Sequence, residues 1–488
     1  MSIDPVDASV AEREGRDLAS AGAPDEHRDI RDGERGDSLG ASPDAARAAS
    51  RDEFGRPTAF LSWWRLFAVT AYWLALTGLW GAFGAILYPE LVHRVLGATN
   101  PLAGTAVAGL TAVTVVVPMA LQPTMGAISD HTRTRLGRRK PYIIVGTAFD
   151  LVFLAVAAWA FSVPSYPAFL VAVLLLQFSS NFAQGPFQGY LPDLVPSPQV
   201  GVASGLMGLA SLAGNLGGAG VAVLFVRLLH WDAGVFITVG LVEVTTMLVT
   251  AIWVPDSPGP PTDLTLPQRA RAAWGTDLLR ERSYVWLLAS RLFILMGGST
   301  LANMGVLFLV NALGFPAEDA EARILPVMIA LGVSAAIATL PAGMLSTRVG
   351  RKPVIYAGVA LGVAGALGIA AAGEYWMVVL FVVPVGICLG AFQSVDWALM
   401  TDIIPKAESG RYMGISNVVT AGNQGTAVMA AAAVQLAVTL ALGANAGYRA
   451  MILLMVAEFL VGAWALTHVP EPSGRRAASR RFAAGVVA

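Results

Sequence analysis

Gln177, Asn181, Gln184 and Gln188 follow one another at spacings of four, three and four inside an otherwise apolar run. That spacing places four carboxamides on one face of a helix. Each offers donors and an acceptor without a charge, a chemistry suited to a polyhydroxyl molecule. Hydrogen bonding between helices, about 0.6 kcal/mol per contact in a membrane bundle, is the alternative use. Charges also stand inside apolar runs: Asp150, Glu243, Arg291, Asp396 and Glu458. Each would cost about 2.5–3.5 kcal/mol at the centre of a hydrocarbon layer, so each calls for a partner or a task. Arg291 and Asp396 fall roughly 9–12 Å in from the ends of their runs at ~1.5 Å per residue. Matched depth suggests an ion pair. It is either a static lock between two helices or a pair that opens when Asp396 takes a proton or Arg291 takes a substrate. Asp150 and Glu243 have no lysine or arginine mid-run in their own half and are candidate proton sites.

Milder polar groups recur. Ser204, Ser211 and Asn215 share one stretch; Thr420, Gln424 and the neighbouring Asn417 share another. Trp73, Thr77, Trp80 and Gly84 share a helical face, where the Trp80 ring could lie against the apolar face of a sugar or simply pack against core or lipid.

The elements that carry these residues follow from composition. Of 488 residues, 55% are hydrophobic and 13% charged, with a mean hydropathy of +0.62. A soluble domain is nearer a quarter charged. Twelve apolar spans are expected, at 63–88, 103–125, 141–162, 166–190, 201–228, 233–254, 284–311, 324–345, 353–372, 376–400, 411–441 and 448–468. Each is long enough to cross a ~30 Å hydrocarbon core as a helix. The fold class is therefore an all-α membrane protein. Net charge is −1, which gives no field favouring nucleic acid. The single cysteine, Cys388, excludes an intrachain disulfide. The five histidines form no ligand-spaced cluster, and HExxH, GxxxxGK[ST] and GxSxG are all absent from the sequence. No metal, cofactor or enzymatic activity is expected.

Residues 1–60 hold fourteen acids and eight arginines and are expected to be a disordered tail. The organisation then reads 61–254 as a first six-helix half, 255–283 as a linker, 284–470 as a second half and 471–488 as a basic tail. With both termini inside, the inward loops with their flanking span ends and the C-terminal tail carry eighteen lysines and arginines, and the outward loops with their flanking span ends four. That bias puts both termini in the cytoplasm.

The halves echo each other. QGPFQGYLPDLVPSPQVGVASG, from Gln184, and QSVDWALMTDIIPKAESGRYMG, from Gln393, align at a constant offset of 209. The offset pairs Asp193 with Asp402, Pro196 with Pro405 and Gly201 with Gly410. GAISDHTRTRLGRRKP, from Gly126, is echoed by GMLSTRVGRKP, which includes Gly350 and Arg351 but lacks the aspartate. Parallel six-helix repeats are a known transporter plan with the site between halves.

The stretch from Gly126, with Asp130, Gly137, Arg138 and Arg139, resembles the signature loop of the major facilitator superfamily. Its longer form, together with NFAQGPFQGYLPDL from Asn181, resembles the sucrose–proton and glycoside–cation symporters. Those carriers place an aspartate where this chain has Gln177 and an arginine where it has Gln188. The resemblance implies two pseudo-symmetric halves, a substrate path between them and proton-coupled sugar symport. It also implies that Asp130 pairs with the arginines of its own turn and with the start of span 11 near Arg411. Asp193, Asp402, Gly350 and Arg351 would join that cytoplasmic gate. Gly126 and Gly137 are expected to let the turn fold tightly. The substrate face is expected from Gln177, Asn181, Gln184, Gln188, Trp80, Gln393 and Gln424, and coupling from Asp396, Arg291, Asp150 and Glu243. The partners expected are a small molecule, a proton and the lipid bilayer, around a monomer. A proton-coupled exporter of amphiphilic compounds and a non-transporting membrane sensor are the alternative readings.

Overall fold

The computed structural model describes residues 56–97, 100 and 102–470. It is all helical, with twelve helices long and apolar enough to cross a membrane. They are α1 Trp63–Leu96, α2 Gly109–Asp130, α3 Lys140–Ser162, α4 Tyr166–Leu194, α5 Ser197–Leu228 and α6 Ala233–Trp253. The second half holds α7 Arg282–Asn311, α8 Ala322–Val349, α9 Arg351–Ala371, α10 Tyr375–Ile403, α11 Ser409–Leu442 and α12 Ala444–Thr467. At ~1.5 Å per residue the shortest reaches about 30 Å, the thickness of the hydrocarbon layer. Their outer faces carry apolar side chains as exposed as Leu440, at 80%, which in water would be costly and in lipid is not.

Three sequence expectations change. Asp130 is the last residue of a helix rather than part of a turn, because α2 runs five residues beyond the predicted end at 125. Gly126 therefore makes no turn. A Cβ there would stand 2.2 Å from the Gly410 carbonyl oxygen, so its task is to let α2 meet α11 backbone to backbone. Gly137 does make the turn, at φ +105°. The tail boundary at 60 also moves. Residues 1–55 and 471–488 lie outside the described residues, but Arg56 is fully buried, and Leu61 and Gln199 exchange two 2.8 Å hydrogen bonds. The stretch between α6 and α7 holds a short helix, Leu266–Ala272, set by a Thr265/Gln268 capping box. It is tied to the α2–α3 loop through Arg269 Nη1 on the His131 carbonyl at 3.2 Å and Gly259 N on the Thr132 carbonyl at 2.8 Å.

Two close glycine contacts of the repeat motifs join the halves at the end bearing that loop. One is Gly126 on Gly410. The other is Gly201 of α5 on Gly343 of α8, where a Cβ on either would stand 2.1–2.2 Å from the other's carbonyl oxygen. The glycines of the internal repeat thus meet crosswise, the first motif of each half against the second motif of the other. This end of the bundle is closed.

Candidate functional site

Five buried carboxamides interlock where α2, α4 and α11 meet. Gln122 Nε2 donates to Asn181 Oδ1 at 2.5 Å, and Asn181 Nδ2 donates to Gln177 Oε1 at 2.8 Å. Gln188 Nε2 donates to Gln122 Oε1 at 3.3 Å. Asn417 Nδ2 donates to both Gln122 Oε1 and Gln188 Oε1 at 2.5 Å, and these two bonds cross from one half to the other. No charge enters this cluster. A substrate hydroxyl can replace any of its bonds, because each amide both donates and accepts.

Beside it lies the central ion pair. Arg291 Nη1 meets Asp396 Oδ2, Arg291 Nε donates to Thr420 Oγ1 at 2.9 Å, and the guanidinium lies over the Trp397 ring at 5.2 Å. Both side chains are nearly fully buried. Trp397 packs edge-on to Trp73 of α1 at 5.6 Å, and Trp73 packs on Phe187 of α4 at 6.2 Å. Phe187 precedes Gln188, so the two polar groups share one aromatic wall.

The closed end is held by charge. Asp130 Oδ1 accepts from Arg139 Nη2 at 3.0 Å and from Gly410 N at 3.1 Å; its Oδ2 accepts from Arg411 N at 3.1 Å. A carboxylate thus caps the N-terminus of α11, where the helix dipole favours it. Arg411 contributes this backbone N–H alone to Asp130. Its guanidinium turns to Asp277 at 2.7 and 2.9 Å and to Glu408 at 2.6 Å. Asp193 takes Arg138 at 2.6 Å, Arg139 at 2.7 Å and the Ser409 hydroxyl at 2.7 Å. Burial works against the charge of Arg139, but the carboxylates of Asp193 and Asp130 outweigh it and hold its pKa above the ordinary arginine value. Gly189 leaves room for this guanidinium: a Cβ there would lie 2.1 Å from its central carbon. In the other half, Asp402 takes Arg351 at 3.3 Å and Arg56 at 3.0 Å, while Arg56 Nη2 also donates to the Thr401 carbonyl at 2.6 Å. Gly350 starts α9 at φ +102°.

A family model described as Major Facilitator Superfamily matches residues 65–422, and matches again over 327–487. The chain belongs to that superfamily. Among curated proteins, the membrane-associated transporter protein of Mus musculus is 36% identical over 97 residues, covering 16% of this chain and 17% of that protein. The sucrose transport protein SUT1 of Oryza sativa subsp. japonica is 31% identical over 122 residues, 21% of this chain and 22% of its own. Both matches span less than a quarter of the relative. Two solved transporters share the fold. The human organic anion transporter MFSD10 aligns at TM-score 0.63 and 18% identity, over 82% of this chain and 100% of its own. The proton:xylose symporter XylE, bound to 6-bromo-6-deoxy-D-glucose, aligns at 0.59 and 16%, over 83% and 96%. This chain is thus a multi-pass membrane protein of the Major Facilitator Superfamily, a class whose members bind small molecules.

Within that fold the expected substrate face divides. Gln177, Asn181 and Gln188 join the carboxamide cluster; Gln184 is half-buried and joins none of its bonds. Gln393 is half-buried beside Gly208 of α5, and Gln424 is exposed. Trp80 packs against Phe83 of its own helix at 6.0 Å, while Trp73 stands in the shared aromatic wall. Gln122 was not expected at all. It sits between Pro118 and Pro123 in α2 with no polar residue three or four positions away to mark it. Asp150 and Glu243 are buried facing each other between α3 and α6.

Proposed function

We propose that this transporter works by alternating access as a proton-coupled symporter of a sugar or glycoside. The observation that carries the reading is the carboxamide cluster. Its bonds from Asn417 to Gln122 and Gln188 cross the boundary between halves. Rocking the halves apart breaks them and leaves buried amides without partners, a cost of about 1–3 kcal/mol per group. A neutral, hydroxyl-rich molecule restores those bonds in the same place. Substrate and conformational change are then linked by differential contacts in the two states, as population shift requires.

The closed, loop-bearing end is on this reading the cytoplasmic one, since it carries most of the lysines and arginines of the loops. Both termini are then cytoplasmic and the protein lies in the plasma membrane as a monomer. Asp130, Asp193, Asp402 and their arginines form the inner gate. Arg291 and Asp396 sit at the substrate path, where the pair opens to admit substrate.

The test is uptake of labelled sucrose, maltose and glucose into proteoliposomes, with and without an inward proton gradient. Gradient-driven accumulation of one of them is expected. Gln188→Ala should then raise its half-saturation constant by about tenfold, the loss of one well-placed bond at roughly 1.4 kcal/mol. Absence of accumulation for all three would overturn the sugar reading and leave the fold untouched. Arg291 favours a second reading, transport of an organic anion whose carboxylate displaces Asp396 from the guanidinium. Competition of such anions with one another for efflux, and not with sugars, would select it.

A further inference from the structure

We propose that Asp150 and Glu243 together form a proton-binding site in the N-terminal half, remote from the central ion pair, and that the proton held there is the one that drives transport. The inference rests on the proton-coupled reading above and locates its ion.

The pair is assembled from four helices. Glu243 of α6 accepts at Oε1 from the Tyr72 hydroxyl of α1 at 3.3 Å. Tyr72 in turn shares a 2.7 Å hydrogen bond with Thr147 of α3. Asp150 of α3 accepts at Oδ1 from the Ser179 hydroxyl of α4. The two carboxyl groups face each other closely enough to interact directly, and both side chains are 0–1% exposed. What remains unsatisfied is specific. Asp150 Oδ2 and Glu243 Oε2 are both buried without a donor among the described residues. Among the described residues, the titratable groups facing the pair are each other and Tyr72, and no cation approaches either acid.

Two carboxylates in contact cannot both be ionised in a dry interior. One proton between them supplies the missing donor to one oxygen and an acceptor to the other. The other buried acids differ. Asp396 is already compensated by Arg291. Glu458 of α12 has the Thr300 hydroxyl at 3.3 Å but no second acid. Where the repeat places Asp150 and Ser179, the C-terminal half has Gly362 and Cys388. A Cβ at 362 would stand 2.8 Å from the Cys388 sulfur, so apolar packing fills that space. The proton site therefore exists in one half only.

Its occupancy reaches the substrate cluster by contact. The Tyr72 ring packs edge-on against Phe187 at 5.2 Å, and Phe187 adjoins Gln188. The proton leaves only when the rocking of the halves admits water to the pair; the two carboxylates then repel and draw harder on the Tyr72 hydroxyl, and the ring that buttresses the cluster shifts. The proton enters from water and returns to water on the other side, with no electron transferred and no other bond made.

Purified full-length protein is compared with Asp150→Asn, Glu243→Gln, Tyr72→Phe and, as a control, Glu458→Gln. Infrared difference spectra between about pH 5 and about pH 9 report protonated carboxyls directly, without any substrate. A protonated-carboxyl band that is lost in Asp150→Asn and in Glu243→Gln, shifts in Tyr72→Phe and persists in Glu458→Gln is expected. A spectrum unchanged in the two acid variants overturns the site, as does a wild-type pair that binds sodium ions in place of the proton. In proteoliposomes, sucrose accumulation should fall about tenfold or more relative to sucrose exchange in either acid variant, a coupling loss within the usual range. Equal loss of both activities would mean a structural role and would also overturn it. If wild-type protein accumulates no sugar, the sugar reading fails while the infrared result still decides the proton site.

Discussion

The two halves close the same end of the molecule with the same glycines but with different charges. In the N-terminal half, Asp193 is held by Arg138 and Arg139 of the loop that precedes α3, and Asp130 reaches across to cap α11. In the C-terminal half, the matching loop supplies one arginine, Arg351, and Thr347 stands where the repeat would place Asp130. The second arginine comes from elsewhere in the chain: Arg56, ahead of α1, binds Asp402. Packing at the closed end is therefore symmetric and its electrostatics are not. The repeat fixes where the helices meet. The divergent residues decide how firmly each side is fastened, and the N-terminal side is fastened by the denser network.

The comparison can be broken by removing the central arginine of each network. Arg139→Ala leaves Asp130 and Asp193 buried with a partner lost, which should cost about 3–5 kcal/mol. Arg351→Ala should cost less, because Arg56 stays on Asp402. Thermal unfolding midpoints in detergent give the two values, and equal losses would refute the asymmetry. Symmetry of packing is tested next by Gly126→Val and Gly201→Val. Each drives a side chain into the facing backbone, at about 1–3 kcal/mol for overpacking, and the two should slow transport alike without preventing insertion. A third comparison is Asp130→Asn against Thr347→Val. The first removes a charge from a helix N-terminus, about 0.3–2 kcal/mol, and should slow transport several-fold at normal surface expression; the second should leave it near wild type. Normal transport in Asp130→Asn would dismiss its role in the inner gate.

The smallest effect belongs to Asp277, the exposed partner of Arg411. Its carboxyl is held below the ordinary range chiefly by the Arg411 hydrogen bond. A depressed folded pKa contributes stability that is present above the unfolded value, about 3.9, and is lost as pH falls through the folded one. Asp277→Asn should therefore lower the unfolding midpoint slightly and equally across neutral pH. The difference should fade below about pH 4 and at high salt. A difference that grows on acidification would assign the contact another origin.

Much of this arrangement is legible in the sequence. Twelve apolar runs give twelve helices, because hydrocarbon accepts backbone only when it is internally bonded. Matched depth foretells the contact of Arg291 with Asp396, and the resemblance of the Asp130 loop places its carboxylate at the start of α11. What escapes is set by long-range packing. Gln122 lies alone between prolines, and its partners at 181, 188 and 417 come from other helices. Gly126 reads as a turn former because a glycine permitting close helix approach and a glycine permitting a turn look alike in a string. Arg56 lies in a segment whose composition signals solvation, and only the fold shows that Asp402 waits for it. Asp150 and Glu243 announce themselves as buried acids, but not that they touch.

Arg56 also bears on how the protein is best handled at the bench. The residue stands seven positions before α1 yet is seated on the opposite half of the bundle. A fusion partner joined directly to the first hydrophobic residue would displace a native anchor and bias the preparation toward an unlatched form. An affinity tag or fluorescent reporter carried ahead of position 56 leaves the anchor in its socket. The design boundary for expression is thus drawn by one arginine rather than by the start of the hydropathy profile.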